Sequence, residues 1–124
     1  SFDEYKEIVD NNLIIVAQIE NKDALKNLDS ILSVPQLDAI IIGPYDLSAS
    51  MGKAGQLDDN EVSNAIDTIL TKSIDAGISC GIHIIEPLLD ELESRSKQGF
   101  NFIAYSLDIR MLSHNAKEAL GQIK

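Results

Sequence analysis

Strand-length apolar segments recur near residues 13–19, 38–43, 78–84 and 101–106, and each is followed by a stretch with helical periodicity. The first two, Leu13-Ile14-Ile15-Val16-Ala17-Gln18-Ile19 and Ala39-Ile40-Ile41-Ile42, are near-continuous runs rather than alternating ones. Strands of a parallel sheet covered on both faces read that way, whereas a half-solvated antiparallel strand alternates. Strands that alternate with helices specify an α/β fold with a parallel sheet.

The helical segments carry their own punctuation. Phe2, Tyr5, Ile8 and Val9 mark a short amphipathic helix over 2–11. Asn21 can cap a helix over 21–33 that presents Ala24, Leu25, Leu28, Ile31 and Leu32 on one face, and Pro35 stops it. A loop bearing Ser48, Ser50, Gly52 and Gly55 follows the second strand. Asp58-Asp59-Asn60 opens a long helix to residue 76, which Gly77 ends. Pro87 suits the first turn of a helix over 87–98, closed by Gly99, and a final helix covers 109–122. Nothing reads as a linker or second domain, so one domain over 1–124 is expected. Strand starts near 13, 38, 78 and 101 give a mean step of about 29 residues. A (β/α)₈ barrel averages roughly 31 per unit. The chain thus has the rhythm of half such a barrel, although a small open doubly wound sheet shares that rhythm.

Composition excludes several functions. A net charge of −10 disfavours a nucleic-acid partner, which wants clustered Lys and Arg. No apolar stretch reaches the roughly 20 residues of a membrane span, and Ser1-Phe2-Asp3-Glu4-Tyr5 has no signal-peptide character. Cys80 is the one cysteine, so no intrachain disulfide forms, which fits a reducing compartment. A cytoplasmic protein is expected. Cys80 sits in an apolar run with no basic neighbour and reads as a buried, inert thiol.

Two carboxylates stand out. Glu20 and Asp46 each lie just past one of the apolar runs, at the strand ends where parallel α/β folds gather functional groups. Two oxygen ligands without His or Cys favour a hard divalent ion, Mg²⁺ or Mn²⁺, with Co²⁺ an alternative. Two protein ligands leave positions for water and a chelating substrate, as a Lewis-acid catalyst needs. The structural alternatives are a first-turn helix acid for Glu20 and an N-cap for Asp46. Gln18 lies two residues before Glu20 and shares its strand face, where a buried hydrogen-bonded amide is the alternative to a place beside the metal. In Gly43-Pro44-Tyr45-Asp46-Leu47-Ser48, Gly43 allows close backbone approach, and the amides of Tyr45 and Asp46 could face an anion; a simple tight turn reads equally from the residues. His83, near the end of the third strand, reads first as a structural histidine, His114 as a surface residue, and Asp108 with Arg110 as a cap with a local ion pair.

The segments Ala17-Gln18-Ile19-Glu20, Leu28-Asp29-Ser30-Ile31 and Leu37-Asp38-Ala39-Ile40-Ile41-Ile42-Gly43-Pro44-Tyr45-Asp46-Leu47-Ser48-Ala49-Ser50-Met51-Gly52, with the later Gly99-Phe100-Asn101-Phe102-Ile103-Ala104, together resemble the HpcH/HpaI aldolase/citrate lyase family. The resemblance runs over nearly the whole chain and corresponds to the C-terminal half of a family member. It implies a (β/α)₈ barrel and class II, metal-dependent aldol chemistry on 2-oxo acids, most similar to 4-hydroxy-2-oxo-acid aldolases that release pyruvate and an aldehyde. It implies Glu20 and Asp46 as metal ligands, Gln18 beside the metal and the pyruvate moiety, and the backbone around Gly43, Pro44, Tyr45 and Asp46 as the carboxylate seat. The metal would polarise the 2-oxo group and stabilise the enolate left when the C–C bond breaks.

The family's catalytic arginine and histidine acid/base lie in the other half. Arg95, Arg110 and His83 do not match them, and Tyr45 stands where a smaller residue is frequent. Half a barrel exposes apolar edges, so a homo-oligomer or pairing with an N-terminal half is expected. A non-catalytic, self-associating half-barrel with a vestigial metal site is the second reading. A phosphoryl-receiver domain fits length and element order, but Ala104-Tyr105-Ser106-Leu107-Asp108 lacks the Lys it needs after the last strand.

Overall fold

The computed structural model describes residues 1–121. The expected helix end at residue 122 lies outside them. The elements run α1 (Phe2–Asn12), β1 (Val16–Ile19), α2 (Lys22–Lys26), α3 (Leu28–Leu32), β2 (Ala39–Ile42), α4 (Pro44–Ser50), α5 (Asn60–Asp75), β3 (Ser79–Ile84), α6 (Leu89–Gln98), β4 (Phe102–Tyr105) and α7 (Asp108–Gly121).

All strand pairs are parallel, and the sheet order is β1-β2-β3-β4. That order separates the two architectures left open by the sequence. A doubly wound sheet reverses direction at a switch point and carries helices on both faces. Strictly sequential right-handed crossovers put every helix on one face. The burial pattern agrees. Ile19, Ile40, Ile42, Cys80, Ile82 and Ile84 point into a core with Leu28, Leu47, Val62, Ile66 and Ile69 from the helices. The residues between them point the other way, and among the described residues no helix covers them. On that bare face Val16 and Phe102 are 39% and 40% exposed. This is the inside of a barrel seen from a half.

Several elements depart from expectation, each for a local reason. The first strand begins at Val16 rather than residue 13. The Asp38 carboxylate accepts the Ile15 amide at 2.7 Å, and Ile15 O takes the Asp38 and Ala39 amides, so a side chain replaces the first rungs of the ladder. The helix expected over 21–33 breaks at Asn27, whose side-chain amide donates to Asp23 O at 2.8 Å and competes for the helical carbonyls. Part of the expected Gly/Ser loop is helix α4, with Pro44 in its first turn. Pro87 lies ahead of α6, which begins at Leu89 after a Leu88 cap. Gly77 and Gly99 have positive φ where α5 and α6 end, as expected of glycine stops.

Candidate metal and substrate site

Gln18, Glu20 and Gly43 meet at the C-terminal ends of β1 and β2. Gly43 donates its amide to Ile19 O at 3.1 Å, which continues the ladder one step past β2. Its Cα therefore faces the bare side of the sheet beside the side chains of Gln18 and Glu20. A Cβ built on Gly43 would stand 2.9 Å from Gln18 Nε2, 3.3 Å from Glu20 Cβ and 3.5 Å from Glu20 Oε2. Its φ of −98° is ordinary, so the glycine is required by space and not by backbone conformation. Gln18 Nε2 donates to Glu20 Oε2 at 2.6 Å. The glutamine is exposed, not a buried amide.

Glu20 precedes α2, whose cap is Asn21, so it is not a first-turn helix acid. Asp46 is the third residue of α4, and its N-cap is Gly43, so Asp46 is not the cap. Both structural alternatives raised from the sequence are thereby replaced. The two carboxylates are exposed, and among the described residues neither forms an ion pair with Lys or Arg. Carboxylate oxygens of this kind are the donors that a hard cation takes. Two such groups are also fewer than a protein-only site requires: no cluster of three or more His, Cys, Asp or Glu side chains placed to hold a metal occurs among the described residues. Pro44 is buried and Tyr45 is 41% exposed, so the ring stands out from the rim.

The remaining candidates separate from this set. His83 is half-buried on the bare face, level with Ala104. Arg110 pairs with Glu86, not with Asp108, and so links the segment after β3 to α7. Asp108 instead accepts the Ile109 amide. Arg95 pairs along α6 with Glu91 at 3.7 Å. His114 is partly exposed in α7. Cys80 is buried, and desolvation pushes its thiol up to about 11 although a hydrogen bond with Ser73 opposes the rise, as expected for an inert thiol. A surface hollow of ≈ 470 Å³ is lined by Asp90, Glu93, Ser94, Lys97 and Gln98 of α6, away from the strand ends.

Sequence reasoning did not single out the hydroxyls that fix α4. Ser48 is fully buried; its Oγ donates to Tyr45 O at 2.7 Å and accepts the Gly55 amide at 3.0 Å. Ser50 Oγ donates to Leu47 O at 2.7 Å and accepts the Lys22 amide at 2.9 Å. No local pattern reveals these, since the amide partners lie 7 and 28 residues away.

Residues 3–115 match the HpcH/HpaI aldolase/citrate lyase family. The 2-keto-3-deoxy-L-rhamnonate aldolase of Shigella dysenteriae is 35% identical over 120 residues, covering 97% of this chain and 44% of that protein. Its Escherichia coli O6:K15:H31 counterpart is 34% identical with the same coverage. An HpcH/HpaI aldolase from Desulfitobacterium hafniense superposes with a TM-score of 0.85 at 26% identity, over 100% of this chain and 48% of that one. A family protein from Burkholderia cenocepacia superposes with a TM-score of 0.90 at 23% identity, over 97% of this chain and 46% of that one, a likeness of fold. The chain spans about half the length of the relatives it matches. Four sequential parallel β/α units, with one bare sheet face, are accordingly half of a (β/α)₈ barrel. With the match extending over most of its length, and with the fold shared, the chain belongs to the HpcH/HpaI aldolase/citrate lyase family.

Proposed function

We propose that this chain supplies the metal- and pyruvate-binding half of a divalent-metal-dependent aldolase that cleaves a 4-hydroxy-2-oxo acid to pyruvate and an aldehyde. The carrying observation is the packing of Gly43 against Gln18 and Glu20 at the end of β1, with Asp46 three residues on in the first turn of α4 and neither carboxylate in an ion pair among the described residues. The relatives are named as aldolases of a 2-keto-3-deoxy acid, which supports a 2-oxo-acid substrate class. Glu20 and Asp46 would hold Mg²⁺, Mn²⁺ or Co²⁺, and a bound ion supplies Lewis-acid polarisation of the 2-oxo group.

The chain's own residues do the rest of the local work. Gln18 fixes the Glu20 carboxylate through its amide, which holds one ligand oxygen in place without neutralising it. Gly43 keeps the space beside that carboxylate free of a side chain. The backbone of Gly43, Pro44, Tyr45 and Asp46 receives the substrate carboxylate. Tyr45, exposed at the rim, limits the room on the aldehyde side. The test is pyruvate release from a 4-hydroxy-2-oxo acid with Mn²⁺ present, by the protein containing this chain, against the same protein carrying Asp46→Ala. Release lost in the variant is expected; release unchanged by Asp46→Ala contradicts the reading.

A second reading, a self-associating half-barrel with a vestigial metal site, is favoured by one feature: the bare sheet face with Val16, Ile41 and Phe102. Absence of pyruvate release together with stable self-association would select it.

A further inference from the structure

Helix α4 carries Asp46, and the turn after β1 carries Glu20. The two are joined by one hydrogen bond among those described, from the Lys22 amide to Ser50 Oγ at 2.9 Å. Lys22 is the first residue of α2, and its amide has no partner within that helix. The Asn21 cap is occupied with the Asp23 amide at 2.9 Å, so the Lys22 amide is served from another element. Ser50 lies four residues after Asp46, on the same face of α4. Lys22 lies two residues after Glu20. The helix face that bears Asp46 is thus the face tied to the Glu20 turn.

The opposite side of α4 is fastened separately. Ser48 bonds Tyr45 O and the Gly55 amide, and Ser48 O takes the Lys53 amide at 2.8 Å. Lys53 Nζ then grips both Asp59 carboxylate oxygens at 2.7 and 2.8 Å. The N-terminal end of α4 is held to β1 by the Gly43 amide on Ile19 O, and the Ser50 hydroxyl ties its C-terminal end to the segment that follows Glu20.

We propose that Ser50 is a positioning residue that sets the separation of the Glu20 and Asp46 carboxylates, an inference that rests on the metal reading above. Ser50 touches neither metal nor substrate; it acts through the Lys22 amide. The test is Mn²⁺ affinity, by calorimetry and by the Mn²⁺ electron paramagnetic resonance signal, for the wild-type chain and for Ser50→Ala, Ser50→Thr, Glu20→Ala and Asp46→Ala. Ser50→Ala is expected to weaken Mn²⁺ binding about tenfold, the lower end for loss of a group that orients a ligand. Its thermal midpoint and circular dichroism should stay near wild type. Ser50→Thr keeps the hydroxyl and should recover the affinity. Binding lost in Asp46→Ala but unchanged in Ser50→Ala overturns the positioning role alone. Equal weakening in Ser50→Ala and Ser50→Thr overturns it too, because the hydroxyl would then not be the agent. Binding that survives both Glu20→Ala and Asp46→Ala, or that is missing in the wild type, overturns the metal reading and this inference with it.

Discussion

At the scale of single residues, the candidate site depends on a missing side chain. Gly43→Ala would place a methyl 2.9 Å from Gln18 Nε2 and 3.3 Å from Glu20 Cβ. The flexible glutamine end can move, but Glu20 Cβ is fixed to the backbone. The expected outcome is displacement of the Gln18 amide from Glu20 and Mn²⁺ affinity reduced by about 10–100-fold, as for lost support of a ligand, measured by calorimetry. An unchanged affinity would show that the packing does not matter to binding. Cys80 gives a pH prediction. Burial raises its folded pKa to about 11, above the ordinary thiol value near 8.5. The thiol's contribution is therefore complete below the ordinary value and is lost as pH rises through the folded one. Native protein should resist iodoacetamide at pH 8, and stability should fall as pH climbs towards 11; rapid native alkylation at pH 8 would contradict this. Glu20 and Asp46 drew attention in the sequence because each lies just past an apolar run. Ser50 was not, because its meaning comes from an amide brought to it by folding.

At the scale of elements, strand existence followed from the apolar runs, while boundaries were set by side chains that compete for backbone groups. Asp38 shortened β1 and Asn27 split the helix after it. The identity of α4 was hidden because Gly43, Ser48 and Ser50 are turn-favouring residues locally. The Ser48 and Ser50 hydroxyls instead donate to the carbonyls three residues back, a spacing that the helix keeps. A glycine also governs the fit of β3 to β4. A Cβ at Gly81 would lie 2.5 Å from Phe102 O and 2.7 Å from Phe102 Cδ1. A backbone atom cannot yield as a side-chain tip can, so Gly81→Ala should destabilise by about 1–3 kcal/mol. Urea unfolding checks this, and a wild-type midpoint would contradict it. The clasp behind α4 carries its own pH signature. The Lys53 ammonium, by its hydrogen bonds, holds the Asp59 carboxyl below its ordinary value. A depressed folded pKa gives a contribution present above the unfolded value, near 3.9, and lost as pH falls through the folded one. Asp59→Asn should therefore flatten acid destabilisation below about pH 4; an unchanged acid profile would show that the pair contributes nothing.

At the scale of the molecule, the sheet has one finished face and one open one. The finished face is a continuous core of Ile, Leu and Val. The open face carries the candidate site together with exposed Val16 and Phe102. α1 adds Phe2, Tyr5 and Ile8, exposed at 80%, 65% and 61%. Apolar surface on this scale seeks cover. The chain by itself is expected to self-associate, with a sedimenting mass that rises with concentration; a monomer at every concentration would argue that the open face is tolerated in water. The half-barrel was legible from strand spacing, but the choice against a doubly wound sheet needed the observed strand order, which periodicity does not encode. The proposed metal site is tested most directly by a calorimetric titration of Mn²⁺ into the chain, with and without oxalate as a pyruvate-like chelator. Mn²⁺ binding is expected, strengthened by oxalate and abolished by each of Glu20→Ala and Asp46→Ala. Binding indifferent to oxalate and to both substitutions would contradict the proposed site.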